Sequence, residues 1–209
     1  VLWFGVPGYY SLDGVVHLLT GEANPSGHTP DTFSAHASNS AAYQNFGNIK
    51  FDGNAGVDRS STYVSYNEGI YVGYKYYETR YEDCVLNQGN ANGSAGTYDG
   101  ETNWTYHREV AYPFGFGLSY TTFDQELKSI TYKEETDSFV AKINIKNTGN
   151  VDGRASAQLY CQLPYTDYDK ENLVEKSAIQ LCGYNKVLVG AGKEVETEIE
   201  FDRYFLASY

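Results

Sequence analysis

The sequence predicts a mixed architecture: one piece of an α/β sheet followed by an antiparallel β-sandwich, incomplete at both ends. Three observations predict it. The chain opens on an apolar run, VLWFGV, followed by a turn and a segment of helical period. From about residue 122 the hydrophobic period changes to strict alternation. The alternating runs amount to about five strands, where an immunoglobulin-like sandwich needs about seven.

Each element has its own signal. VLWFGV reads as a buried strand, and Pro7-Gly8 as a turn. In SLDGVVHLLTGE, Leu12, Val15, Val16, Leu18 and Leu19 fall on one helical face, with Ser11 as N-cap and Gly21 as the C-terminal stop. One buried strand cannot make a doubly covered parallel sheet, so its neighbours are expected from elsewhere and the front edge reads as cut. NPSGHTPDTF (24–33) is turn-rich, and residues 34–62 read as an irregular surface connection. The loop 87–104 is poor in apolar residues and is expected to be exposed; its Asn, Asp and Gly lack the acidic ladder of a calcium loop. Beyond it, Phe139, Ala141, Ile143 and Ile145 alternate with Val140, Lys142, Asn144 and Lys146. Ala155, Ala157, Leu159 and Cys161 share one face of the next run, and Val195, Thr197, Ile199 and Phe201 one face of the last. Turns at NTGNVDG and GAGKE separate these runs, and the back end also reads as cut.

Composition narrows the function. The formal net charge of −12 opposes binding to nucleic acid or to an anionic membrane. No apolar run approaches the roughly 20 residues of a membrane span. The three cysteines, Cys84, Cys161 and Cys182, are odd in number and lack CxxC or CxxH spacing, so neither a disulfide framework nor a zinc site is expected. A reducing, cytoplasmic setting follows; secretion is the alternative, in which case the sequons at Asn92 and Asn103 would matter. Aromatic residues make up 16% of the chain, 21 of them tyrosine, which suits polar interfaces, sugar-facing surfaces and plain β-structure alike.

Four segments carry a family resemblance. NPSGHTPDTF, YNEGIYVGYKYYET (66–79), YPFGFGLSYTTF (112–123) and the series NTGNVDG, QLYCQLP, LCGYNKVLVGAGKE occur in this order along nearly the whole chain. Together they resemble glycoside hydrolase family 3, in particular its β-glucosidase branch. The last series is similar to the family's fibronectin type III-like domain. The resemblance implies a division into the end of an α/β sandwich domain (1–65), a tyrosine-rich connector (66–121) and a truncated fibronectin type III-like β-sandwich (122–209). It also implies a parent enzyme that hydrolyses β-linked glucosides with retention, without metal or organic cofactor. Its partners would be a β-glucoside or oligosaccharide and the barrel and α/β portions of the same enzyme. The family's nucleophilic Asp lies on a barrel and its acid/base Glu upstream of the opening strand. Neither matches a position here, so no catalytic residue is expected in this chain, which would brace the catalytic domains; a non-catalytic carbohydrate-binding or scaffolding module is the alternative. His28 stands where the family usually has Arg, and Gly192-Lys193 departs from its PGE.

Two residues are kept as candidates. Glu68 lies among six tyrosines in the stretch 66–83, with Glu78, Glu82 and Asp83 nearby in sequence. Aromatic burial would raise its pKa and fit it for general acid work; a carboxylate braced at a domain seam fits the stretch as well, and better, because retention needs a second positioned carboxyl. Trp104, in NWTYH, offers an indole that would stack on a sugar face as an outer subsite; the other reading is a hydrophobic plug that pins the long loop. His17, His28 and His36 read as surface or satisfied core groups.

Overall fold

The computed structural model describes residues 2–6, 8, 10–47, 49, 50, 62–89, 97 and 103–207. Pro7, residues 51–61 of the irregular connection, and most of the 87–104 loop with the Asn92 sequon lie outside the described residues. In chain order the elements are α1 (Ser11–Thr20), β1 (Phe33–Ser34), β2 (Ile49–Lys50), β3 (Thr62–Tyr63), α2 (Tyr74–Tyr81), α3 (Tyr106–Glu109), β4 (Val110–Tyr112), β5 (Phe123–Lys133), β6 (Ser138–Asn147), β7 (Gly153–Gln162), α4 (Asp167–Asn172), β8 (Ile179–Val189) and β9 (Glu194–Asp202). They cluster into two units interleaved along the sequence. The first comprises Val1–His28, Gly117–Tyr160 and Leu181–Phe205; the second comprises Thr29–Phe116, Cys161–Gln180 and Leu206–Tyr209.

The first unit is the antiparallel sandwich. One sheet has the order β5-β6-β9, the other pairs β7 with β8. Ile143, Ile145 and Ile199 from the first sheet meet Ala155, Ala157 and Val189 from the second in one buried core. Strand register brings Ala141 opposite Ile199 and Ile145 opposite Val195, so the alternation in both strands feeds one face. On the solvent side Lys142 faces Glu196 and Glu198 while Lys146 faces Glu194. These exposed pairs fix register more than they add stability.

Edge strand β5 has no simple alternation because its pairing with β6 shifts between Leu127 and Ser129. Before the shift Gln125 and Leu127 face Ile145 and Ile143; after it Ile130 and Tyr132 face Ala141 and Phe139. One extra residue has moved the set that pairs with the core positions of β6 from odd to even positions, and apart from Phe123 the strand stays exposed. Between the sheets the spacing is tight at Gly183 on β8, where an added Cβ would sit 2.6 Å from Ile199 Cγ2.

The front of the chain departs from expectation in two respects. Residues 2–6 form no ladder with any described strand, and Trp3 and Val6 are 75% and 100% exposed. The neighbours that would bury this run are not among the described residues. Ser11 is the first helical residue, not the cap: Tyr10 takes the N-cap position without a side-chain hydrogen bond, and Ser11 N donates to Gly8 O at 3.1 Å. Gly21 ends the helix as expected, its N–H donating to Leu18 O. No residue of α1 is buried, although its apolar positions follow the helical period.

The second unit holds the short antiparallel pairs β1–β4 and β2–β3 with α2, α3 and α4. Helix α2 was not legible as a helix, because tyrosine-rich stretches are ambiguous between helix and strand. It begins after Gly73, whose φ of 54° and whose approach to Asp31 exclude a side chain there. It continues into a π-helical turn over Glu82–Leu86.

Candidate functional site

The signature segments are built into the packing of each unit. In the first unit Asn24 of NPSG accepts from Ser119 Oγ and Tyr120 N, both at 2.8 Å, and donates to Asp152 O at 3.0 Å. One amide thus ties together pieces of three sequence signatures. Asn147 of NTGNVDG is fully buried. Its Nδ2 donates to Val151 O (2.8 Å) and Val189 O (3.0 Å), while its Oδ1 accepts from Thr121 Oγ1 (2.5 Å) and Gly149 N (3.0 Å). A buried amide that saturates both ends is a structural joint.

In the second unit the tyrosine stretch forms a small aromatic core. Tyr77, Trp104 and Val110 are buried, with Tyr76, Tyr81, Cys84 and Tyr106 packed against them. Trp104 and Tyr106 meet edge to face at 6.1 Å, as do Tyr81 and Tyr106 at 6.0 Å. Their hydroxyls engage the protein itself. Tyr77 donates to Asn39 O (3.2 Å), and Tyr106 to Glu78 Oε1 (2.6 Å). Tyr71 donates to Lys176 O (3.3 Å) and accepts from Lys176 N (3.1 Å). Burial pushes the Tyr77 phenol up to about 12 and raises those of Tyr71 and Tyr76.

The loop between β7 and β8 packs against the same stretch. Ala178 N donates to Thr79 Oγ1 at 2.9 Å. Helix α4 carries a full capping box between Thr166 and Asp169, and Lys176 Nζ reaches Asp169 Oδ2 at 2.7 Å. The Lys176 ammonium and the Thr166 donors hold the Asp169 carboxyl down at about 2.

The structure places the candidates as follows. Trp104 is 1% exposed, so its indole is enclosed by the aromatic core and presents no stacking face. Glu68 is half-buried and lines a cleft of about 330 Å³ with Asn39, Asn45, Asn67, Tyr71 and Tyr76. Glu82 and Asp83 line a separate cleft of about 380 Å³, with Leu163, Tyr165 and Ala178. Burial, and then the neighbouring Asp83 charge, raise the Glu82 carboxyl. Glu78 is taken by Tyr106. The carboxylates of the stretch are therefore distributed over different surroundings. Sequence reasoning did not single out Asn39, Asn45, Asp169 or Lys176; small amides and a salt bridge in a loop have no periodic signal to betray them.

Residues 1–74 match the family model "Glycosyl hydrolase family 3 C-terminal domain". Among curated relatives, the probable beta-glucosidase K of Emericella nidulans is 32% identical over 98% of this chain and 19% of its own length. Thermostable beta-glucosidase B of Acetivibrio thermocellus is 29% identical over 92% of this chain and 20% of its own. The solved beta-glucosidase 3B of Thermotoga neapolitana in complex with glucose superposes with a TM-score of 0.63 at 28% identity, over 93% of this chain and 22% of that one. A beta-glucosidase from Paenibacillus barengoltzii gives 0.64 at 26% identity, over 90% of this chain and 16% of that one. The chain thus spans about a fifth of the length of the curated relatives it matches.

Proposed function

We propose, from the premise that this chain belongs to glycoside hydrolase family 3, that it is the bracing segment of a retaining β-glucosidase acting on short β-linked glucosides. The observation that carries the reading is the use made of the signature residues. Asn24 and Asn147 spend their side chains on joints within the sandwich unit, and the tyrosine hydroxyls spend theirs on neighbouring backbone and side chains. The two carboxyls about 5–5.5 Å apart that retention requires belong to the rest of the parent protein, together with the barrel and most of the α/β sandwich. Within the parent we assign residues 1–65 to the α/β sandwich, 66–121 to the connector and 122–209 to the fibronectin type III-like domain.

The exposed apolar run 2–6 and the uncovered face of α1 support the same assignment, since both are suited to packing against further strands and helices. No helix among the described residues is long and apolar enough to cross a membrane. The odd number and low density of cysteines in the sequence favour a reducing, cytoplasmic setting, with secretion as the alternative.

The test is the intact mass and β-glucoside turnover of the parent protein beside those of the 209-residue chain. Turnover by the parent and none by the chain is the expected result. Turnover by a 23.3 kDa species, abolished by Glu68→Gln, would overturn the reading and make Glu68 a catalytic acid.

A further inference from the structure

The cleft that Glu68 lines lies between residues 38–45 and the tyrosine stretch, and it differs from the aromatic core beside it. Its walls are amides, hydroxyls and one carboxylate, backed by the side chains of Tyr71 and Tyr76. Asn39 lines it and is 2% exposed, yet neither end of its side-chain amide has a hydrogen-bond partner among the described residues. A buried amide ordinarily has both ends satisfied, because leaving one unmet costs about 1–3 kcal/mol. The tyrosines around it obey that rule.

Along the cleft runs a chain of polar side chains. Ser65 Oγ donates to Asn67 Oδ1 at 2.8 Å, Asn67 Nδ2 to Asn45 Oδ1 at 3.3 Å, and Asn45 Nδ2 to Glu68 Oε2 at 3.3 Å. The last two links are long, which leaves Asn45 and Glu68 able to take better partners. Glu68 Oε1 has no hydrogen bond to any described residue. The volume, about 330 Å³, falls at the lower end of the range for small-ligand clefts, roughly 300–1,000 Å³.

These features share one chemistry. A carboxylate accepts from two neighbouring hydroxyls, a side-chain amide both donates and accepts, and an aromatic ring meets the C–H face of a saturated ring. We infer that the cleft formed by Asn39, Asn45, Asn67, Glu68, Tyr71 and Tyr76 binds a sugar, with Glu68 and Asn45 reading a pair of adjacent hydroxyls and Asn39 reached by rotation of its amide toward the ligand. The choice of a sugar among polyhydroxyl ligands rests on the glucosidase reading above. The cleft gives Glu68 a binding role that needs no second carboxyl and no proton transfer.

The experiment uses the parent protein. Its nucleophile is first capped with an activated 2-deoxy-2-fluoro-β-glucoside, and the glycosylated protein is titrated with glucose and with cellobiose by calorimetry. Saturable binding is expected, weakened about tenfold by Asn45→Ala and by Glu68→Ala, the loss of one to two hydrogen bonds to a charged or amide group. The exposed Glu171→Ala serves as the control, with affinity unchanged. Thermal melting accompanies each variant; if Asn45→Ala or Glu68→Ala fails to fold, Asn67→Ala, at an exposed position, takes its place. No binding to the capped protein, or binding indifferent to the cleft substitutions, would overturn the inference. A parent that neither turns over β-glucosides nor takes the label would sink the glucosidase reading instead, and titration of the unlabelled protein would still decide the cleft.

Discussion

At the scale of single residues, the chain relies on buried amides more than on its charges. Asn147 receives two donors and supplies two, linking the end of β6 to the Val189 carbonyl and to Thr121. Replacing it by alanine leaves two carbonyls, a hydroxyl and a backbone N–H to find other partners. Asn147→Ala is therefore expected to lower the protection of β6 by about 3 kcal/mol, read as hydrogen exchange of strand amides in the parent protein. The sequence shows NTG as a turn, but not that its first residue is a joint, because Thr121 and Val189 are remote in the chain and nothing local marks them as partners. Trp104 is similar: its loop context admits a stacking platform or a plug, and only the packing of Tyr77 and Val110 against it distinguishes them.

At the scale of elements, alternation was a good guide wherever it was unbroken. Ile143, Ile145, Ala155, Ala157 and Ile199 lie in the core as the period of two requires. It fails at β5, where the shift after Leu127 interrupts the pattern, and at Val140, which is buried although its alternation partners Lys142 and Asn144 are not. At Gly183 the two sheets pack too tightly for a side chain. Gly183→Ala places a methyl against Ile199 and is expected to cost about 1–3 kcal/mol, measured as a lower denaturation midpoint of the sandwich in the parent. Helix α4 is expected to respond to acid. Its Asp169 carboxyl sits at about 2 rather than the ordinary 3.8. A depressed carboxylate contributes stability that is complete above the unfolded value and is lost as pH falls through the folded one. Exchange protection of the Val174 amide, which donates to Asp169 O, is thus expected to decline between pH 4 and pH 2, and Asp169→Asn should flatten that decline.

For the whole molecule, the apolar front is the dominant feature. Trp3, Val6, Leu19 and Leu118 are 75%, 100%, 71% and 73% exposed, far more large apolar surface than a solvent-facing segment ordinarily carries. The isolated chain is expected to bind an apolar fluorescent dye strongly and to elute as aggregate, while the parent binds little. Equal dye binding by both would mean that this surface remains open in the complete protein. The opening run reads as a buried strand in the sequence, but residues 2–6 form no strand with the described residues and Trp3 and Val6 stand exposed, because alternation and apolar content do not supply the neighbours a strand must pair with.

The hydrogen bond from Asn24 to Asp152 spans 128 residues, and the one from Lys186 to Ser26 spans 160. The nearest distant partner of Asn24, Ser119, lies 95 residues on, so a ribosome adding roughly 5–20 residues per second would leave the front segment waiting on the order of ten seconds for it. During that interval the apolar run and α1 have nothing from the sandwich to hold them in place. Slower translation of residues 117–160 is thus expected to lengthen the wait for these contacts without changing a single native contact.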